Sequence, residues 1–241
     1  MAENMIKKRK KVLILGGSSD IGSEVSKFFL NNNWEVTCHY FKNKIFKKKN
    51  KNIKFIQYNF LKKNYKTIDK ELNKKFNDSY DSVINLVGFI NNKTYTNMNY
   101  EDLVNSLQVN TLVPIFIERQ IVKKMLKQKW GRILNCGSIG IKYGGGPSTF
   151  CYSFSKHSLE FMPSIYKIWS KKNVLINNVR IGVTDTKLHK KIRGKNLKKR
   201  IKLIPIGRMA TIHEIVKFIY NLSSENNSYI TGETLTIAGG E

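Results

Sequence analysis

The chain is 241 residues long, 41% apolar, and carries a formal net charge of +26. That length suits one sizeable α/β domain with its own core, and no apolar run approaches the roughly 18 residues a membrane span needs. The three cysteines, Cys38, Cys136 and Cys151, are odd in number and lack metal-like spacing, which favours a reduced, cytoplasmic protein with no metal site. The basic segment 1–10 runs into a short apolar stretch and then glycines, which fits no secretory signal. So large a positive charge invites a nucleic-acid reading. Lysine far outnumbers arginine, however, and the lysines are spread along the chain with abundant asparagine, as in Asn31-Asn32-Asn33. That pattern fits an AT-rich coding sequence better than a nucleic-acid surface.

In chain order, 11–15 (KVLIL) predicts a buried strand and Gly16-Gly17-Ser18-Ser19-Asp20-Ile21-Gly22 the turn after it. A helix follows, with Ile21, Val25, Phe28 and Phe29 at helical spacing. A glycine-rich turn between a first strand and a first helix suits a pyrophosphate, because backbone N–H groups and the helix dipole meet it closely. Strand two, 34–39, leads into Tyr40-Phe41-Lys42. An acid here would bind ribose hydroxyls and reject a 2′-phosphate; Lys42 and Lys44 stand instead, favouring NADP(H) while leaving NAD(H) allowed. Strand three covers 53–58 and ends at Asn59-Phe60. A polar helix covers 64–76, and strand four is 82–86, followed by Val87-Gly88.

The spacing then predicts one long helix over about 100–127, its apolar stripe interrupted by Asn110. A buried amide needs partners. Pro114 has no N–H to return to the Asn110 carbonyl, so a kink is expected there. Strand five, 132–136, ends at Gly137-Ser138. A glycine-rich loop, 139–149, precedes a helix carrying Tyr152 and running to about 170. Strand six is 174–180, and Gly182-Val183-Thr184-Asp185-Thr186 opens a basic segment, 187–202. Thr211 and Glu214 have capping-box spacing for a further helix, and 233–237 is the last strand. Strands alternating with helices predict an α/β, doubly wound, parallel seven-stranded sheet in a single domain. Every candidate motif falls at a carboxyl end of a strand, where ligands bind in such sheets.

Tyr152 and Lys156 stand at i and i+4, on one face of their helix. A phenol ionises near pH 10, and a cation about 4 Å away contributes up to about 4 kcal/mol, roughly three pKa units. That spacing therefore predicts a phenol brought towards the range useful for acid–base work.

These residues together resemble the short-chain dehydrogenase/reductase family over nearly all of 11–241, closest in pattern to its 3-oxoacyl-carrier-protein reductase-like members. Leu15-Gly16-Gly17-Ser18-Ser19-Asp20-Ile21-Gly22 is similar to the family's TGxxxGxG turn, with Leu15 for threonine and Asp20 for the middle glycine. Asp20 is expected to point out or to bond the turn itself. Asn59 stands where the family has an adenine-contacting aspartate, and Asn85-Leu86-Val87-Gly88 resembles its NNAG. Asn110, Ser138, Tyr152 and Lys156 match its catalytic tetrad. Ile181-Gly182 stands for its Pro-Gly, and Thr184 and Thr186 match positions that hold the nicotinamide carboxamide and phosphates.

The resemblance implies a nucleotide held by Gly16, Ser18, Ser19, Asp20, Ile21, Gly22, Tyr40, Lys42, Asn59, Phe60, Asn85, Val87, Gly88, Gly182, Thr184 and Thr186, with Tyr152 and Lys156. It implies hydride transfer between nicotinamide and a carbonyl or alcohol, carbonyl reduction being favoured. Tyr152 would move the proton, Lys156 would bind ribose hydroxyls and lower the Tyr152 pKa, Ser138 would bond the substrate oxygen, and the Asn110 carbonyl would hold a water. Segment 187–202 lies where the family has a substrate lid, and its charge fits an anionic substrate, small or carrier-bound. Arg132 with Lys171-Lys172 resembles the basic residues that meet an acidic carrier in 3-oxoacyl-carrier-protein reductases. A homo-oligomer, tetramer or dimer, is implied as well. A 3-oxoacyl-carrier-protein reductase, and a non-catalytic nucleotide-sensing or RNA-binding protein on the same fold, stand as alternatives.

Overall fold

Strand residues alternate between two apolar layers, which is why both faces of the sheet are buried. In β1 (Lys11–Leu15), Leu13 and Leu15 face one layer while Val12 and Ile14 face the other. The computed structural model describes residues 9–43, 50–61, 65–192 and 196–241. The remaining strands are β2 (Glu35–Tyr40), β3 (Ile53–Gln57), β4 (Ser82–Asn85), β5 (Gly131–Ser138), β6 (Val174–Ile181) and β7 (Thr234–Ile237). They form one seven-stranded sheet in the order β3-β2-β1-β4-β5-β6-β7, with every pairing parallel. The order reverses between β1 and β4, so the crevice expected of a doubly wound sheet opens at their carboxyl ends.

Helices α1 (Asp20–Asn31) and α8 (Ile212–Ser223) cover one face, packing Val25, Phe29, Ile215 and Ile219 against Ile14, Leu134 and Val179. The expected capping box at Thr211 and Glu214 starts α8. The other face is covered by α2 (Ile68–Lys75), α3 (Tyr100–Leu107), α4 (Val113–Gln128), α5 (Phe150–Leu159) and α6 (Tyr166–Ser170). There Leu72, Ile117, Ile121 and Met125 meet Leu13, Val83 and Ile133. A short α7 (Leu197–Ile201) lies in the basic segment before α8.

Two expected helices are divided. The 100–127 helix carries a π-helical turn, Gln108–Leu112, between α3 and α4. Pro114 lies two residues after it, so the irregularity expected from the missing N–H falls in the turn before the proline, with Asn110 at its centre. The helix expected to run to about 170 stops at Leu159 and resumes at Tyr166. Pro163 lies in the gap and disfavours helix at the residue before it. The Glu160 carbonyl turns out of the helix and accepts a bond of 2.9 Å from Asn178 Nδ2 on β6.

Arg132 also departs from expectation. It is 2% exposed, donates to the carbonyls of Asn227, Gly131 and Asn173, and lies 4.4 Å from the Trp130 ring centre. Its guanidinium is committed to holding the start of β5 and does not meet a carrier protein. Lys171 and Lys172 are exposed at the same, amino-terminal edge of the sheet.

A polar chain crosses the interior. Asn85 Oδ1 accepts from Val87 N at 3.2 Å, its Nδ2 donates to Asn135 Oδ1 at 3.1 Å, and Asn135 Nδ2 donates to Glu118 Oε2 on α4 at 3.4 Å. Burial pushes the Glu118 carboxyl up to about 8, against the Asn135 bond. Its native state therefore keeps a proton that the unfolded chain releases near the usual glutamate value. Stability should fall as pH rises from about 4.5 to about 8 and then level off. Glu118→Gln should remove that slope and be more stable at pH 7, by on the order of 3 kcal/mol. Urea unfolding of both proteins at several pH values checks this; an equal slope in the two would refute the assignment.

Candidate active site

The glycine turn is built by constraint at its first residue. Gly16 has φ +73°, and a Cβ there would meet the Leu86 and Val87 backbone at 2.9–3.0 Å. A side chain would thus part β1 from β4. Ser19 then caps α1, its Oγ accepting from Gly22 N at 3.0 Å. Helix geometry leaves the first-turn N–H groups of Asp20 and Ile21 without intrahelical carbonyls, at the positive end of the dipole. Ser18 and Ile21 are half-buried beside them.

Asp20 does not bond its own turn. Its Oδ2 accepts from Lys187 N at 2.7 Å and its Oδ1 lies 3.8 Å from Lys187 Nζ. The carboxylate is thereby turned onto the segment after β6. The same contact holds Thr186, the residue before Lys187, close to the glycine turn. Thr184 is buried and donates to the Gly182 carbonyl at 3.1 Å.

At the end of β2, Tyr40 is half-buried and edge-on to Phe55, and the exposed Lys42 places its Nζ 5.5 Å from the Phe41 ring centre. Lys44 lies outside the described residues. Asn59 Oδ1 accepts from Leu61 N at 3.0 Å, and Phe60 is buried, so its ring is core rather than open surface. Asn85 is fully buried and orders Val87 as described above, while Gly88 faces the Tyr152 ring, to which a Cβ would stand at 3.9 Å.

Across the crevice, Ser138 ends β5 and Tyr152 and Lys156 share one face of α5. The Tyr152 hydroxyl faces Ser138, which favours the ionised phenol, and Ser138 Oγ accepts from Gly140 N at 3.3 Å. Lys156 is 2% exposed, with Nζ donating to the Cys136 carbonyl at 2.7 Å. Asn110 is fully buried. Its side chain exchanges bonds with Phe89 N and O at 2.7 and 3.0 Å and donates to Ser155 Oγ at 2.9 Å. It therefore ties the loop after β4 to α5 and fixes how Tyr152 meets Gly88.

The expected lowering of the Tyr152 pKa is not what the site shows. Burial pushes the phenol up to about 12, only partly opposed by the neighbouring Ser138. Lys156 is itself pushed down to about 8 by burial, with Cys136 and Glu160 acting the other way. Its ammonium is bonded to a β5 carbonyl, and its field does not bring the phenol down. In this state Tyr152 is a neutral donor and Lys156 a cation with two N–H groups beyond its Cys136 bond.

Of segment 187–202, residues 193–195 lie outside the described ones. Lys187 pairs with Asp20, and Arg200 pairs with Glu241; Lys198, Lys199 and Lys202 remain exposed.

Sequence reasoning passed over His39. Its Nδ1 accepts from Gly16 N at 3.2 Å, its Nε2 donates to the Tyr58 carbonyl at 3.0 Å, and its ring stacks on Phe60 at 4.2 Å. The two partners assign the Nε2–H tautomer. The available signal was a histidine inside a buried strand, which must find two polar partners.

A family model described as Enoyl-(Acyl carrier protein) reductase matches residues 16–241. The chain is 31% identical over 179 residues to the 3-oxoacyl-[acyl-carrier-protein] reductase FabG of Aquifex aeolicus, covering 71% of this chain and 72% of that protein. It is 32% identical to an Acetoacetyl-CoA reductase of an Acinetobacter strain, over 66% of this chain and 64% of that one. Among solved structures, ElxO with NADP bound matches with a TM-score of 0.80 at 27% identity, covering 97% of this chain and 98% of that chain.

His39→Phe should keep the stack on Phe60 but orphan Gly16 N–H and the Tyr58 carbonyl, costing about 1–3 kcal/mol at neutral pH. Burial holds His39 down at about 4, against the Tyr58 bond, whereas the unfolded imidazole takes its proton near 6.5. Wild type should therefore lose stability as pH falls through that window, and the variant should lack this component. The gap between them should narrow on acidification, as measured by urea midpoints; a gap constant to pH 4 would contradict the bracing role.

Proposed function

Because this chain belongs to the short-chain dehydrogenase/reductase family of oxidoreductases, we propose that it reduces a carbonyl with NADPH, with Tyr152 as proton donor. The observation that carries the reading is the Ser138–Tyr152–Lys156 cluster at the carboxyl edge of β5, facing Gly88 across the crevice. A phenol that stays protonated through the neutral range suits donation to a carbonyl oxygen, the reductive direction.

The residues present fit a dinucleotide. The Gly16 close approach, the first-turn N–H groups of α1, the half-buried Tyr40 with the exposed Lys42, and Gly88 all follow carboxyl ends of strands on one edge of the sheet. Gly16, Ser18, Ser19, Ile21 and Gly22 would hold the pyrophosphate, with Asp20 turned aside onto Lys187. Tyr40, Lys42, Asn59 and Phe60 would border the adenosine half; Asn85, Val87, Gly88, Gly182, Thr184 and Thr186 would border the nicotinamide half. When bound, the cofactor supplies the hydride. The absence of an acid after β2, with Lys42 in its place, supports NADPH over NADH, and ElxO carries NADP in its solved structure.

Ser138 orients the substrate oxygen and receives the charge that develops there. Tyr152 delivers its proton to that oxygen, and Lys156 remains cationic behind it, its free N–H groups available to ribose hydroxyls. Asn110 holds the β4 loop and α5 at a fixed separation. The names of the relatives, 3-oxoacyl-[acyl-carrier-protein] reductase and Acetoacetyl-CoA reductase, support a 3-oxoacyl thioester as the substrate. The exposed Lys198, Lys199 and Lys202 support an anionic carrier or nucleotide at its far end. Leu112 and Ile115 beside α4, with Phe154 and Phe161 beside α5, are exposed apolar groups that support association of copies through these helices.

NADPH and NADH consumption against simple ketones and 3-oxoacyl thioesters tests the activity. Turnover of the thioesters with NADPH is expected, and Tyr152→Phe should lower it about 10²–10⁴-fold while NADPH binding, read by fluorescence, persists. Near-normal activity in the variant, or salt-sensitive RNA binding with no turnover of any carbonyl, would sink the reading. Light scattering should give a mass of two or more chains; a monomer would remove the association.

A further inference from the structure

The stripe that carries Tyr152 and Lys156 continues one turn further to Glu160, and nothing in the reaction above uses it. Glu160 is the residue at which α5 ends. Its side chain is 8% exposed, and it is gripped from β6 by Arg180, with Nε at 2.9 and 3.1 Å from the two carboxylate oxygens and Nη2 at 2.7 Å from Oε2. Its backbone carbonyl is held by Asn178. The strand residue below it is Gly137, immediately before Ser138, where a Cβ would lie 3.1 Å from Glu160 Oε1. Main chain, side chain and the space beneath are therefore all shaped around a carboxylate at this point.

We propose that Glu160, clamped by Arg180, is a positioning residue for the reaction: it sets the charge of Lys156 and thereby the proton transfer at Tyr152. The proposal rests on the reading of Tyr152 and Lys156 as the proton-handling pair. Residues four apart on a helix are neighbours, and Glu160 favours the protonated form of Lys156 against its burial. Cys136 acts in the same direction on Lys156, ahead of Glu160, but as a thiol it carries no charge, and the other groups facing Lys156 supply no negative one. Cys136 on β5 is pushed up to about 12 by burial and stays a neutral thiol, and Tyr152 stays a neutral phenol. Ser138 is neutral, the π turn contributes the neutral Asn110 and Thr111 bonded to Ser155, and Arg180 on β6 is itself a cation. Arg180 fixes the distance of the carboxylate rather than cancelling it, because it approaches from the strand while Lys156 lies along the helix.

The test follows the charge of Lys156 directly. The protein is labelled with 13Cε-lysine, and the Lys156 signal, assigned by its loss in Lys156→Met, is titrated in wild type, Glu160→Gln, Arg180→Gln and the double variant. Glu160→Gln keeps a hydrogen-bonding group but no charge and should move the Lys156 midpoint down by about one pH unit, a tenfold change. The alkaline limb of the kcat/KM profile with NADPH should move down with it. Arg180→Gln leaves the carboxylate and should not lower the midpoint. The double variant leaves no charge stranded, so it covers the case in which Glu160→Gln fails to fold; its midpoint should also lie below that of wild type. An unmoved midpoint in Glu160→Gln, or in the double variant where the single one does not fold, overturns the proposal. So does an equal fall in both single variants, which would signal lost packing rather than lost charge. The titration needs no turnover. If wild type consumed no NADPH on any carbonyl, the functional reading would fail while the effect of Glu160 on Lys156 would still be decided.

Discussion

A cation buried to 2% exposure is the constraint around which this half of the molecule is arranged. Desolvating an ammonium costs several kcal/mol unless hydrogen bonds and opposite charge return it. Lys156 receives a β5 carbonyl at 2.7 Å and, one helical turn away, a clamped carboxylate. Both depend on α5 lying at a fixed angle over β5 and β6. The bonds that set this angle are made by neutral side chains: Asn110 and Thr111 from the π turn reach Ser155, and Asn178 reaches the Glu160 carbonyl. The π turn and the early end of α5 are thus two ends of one device. Each releases backbone or side-chain groups that a regular helix would have kept to itself.

The crevice side of the sheet follows the same economy of polar groups. Parallel strands buried on both faces leave few places for hydrogen-bonding side chains, and here those places coincide with strand ends. His39 links the turn after β1 to the end of β3, and Asn85 links the end of β4, through Asn135, to α4. These side chains substitute for strand pairing just where the ladders stop. The loops that border the crevice are therefore positioned largely from beneath, by the core, with Asp20 and Lys187 joining two of them.

The strands and their order of succession were legible because buried β-branched runs alternate with helical spacing, and nothing else in the chain competes with that pattern. The Ser138, Tyr152 and Lys156 group was legible because one helical turn and one strand end fix it locally. What could not be read depends on contacts distant in sequence. Glu160 looks like a surface acid until Arg180, on another strand, is seen to hold it. Arg132 looks like a docking residue until three backbone carbonyls from separate segments are found around it. The Tyr152 pKa failed for a related reason. Spacing gives the distance to Lys156, but not the burial of the phenol or the carbonyl that takes up the ammonium. The break at Pro163 was visible in principle and was outweighed by apolar spacing on either side of it.

The large positive charge resolves into two populations. Five of the described arginines are structural: Arg119 pairs with Asp69, Arg180 with Glu160, Arg200 with Glu241 and Arg208 with Glu214, while Arg132 is walled in by carbonyls. Planar guanidinium groups suit such fixed, multiply bonded places. Among the described residues the lysines are mostly exposed, as hydrated ammonium groups that can be gained or lost with little effect on the core. Lys156 is the buried one among the described residues. It has a lysine's short reach to a carbonyl and a lysine's readiness to change its proton affinity on burial, in a place where an arginine would be permanently charged and could not respond to Glu160. Dry, bonded and matched to a carboxylate, Lys156 is set apart from those exposed lysines by its environment alone.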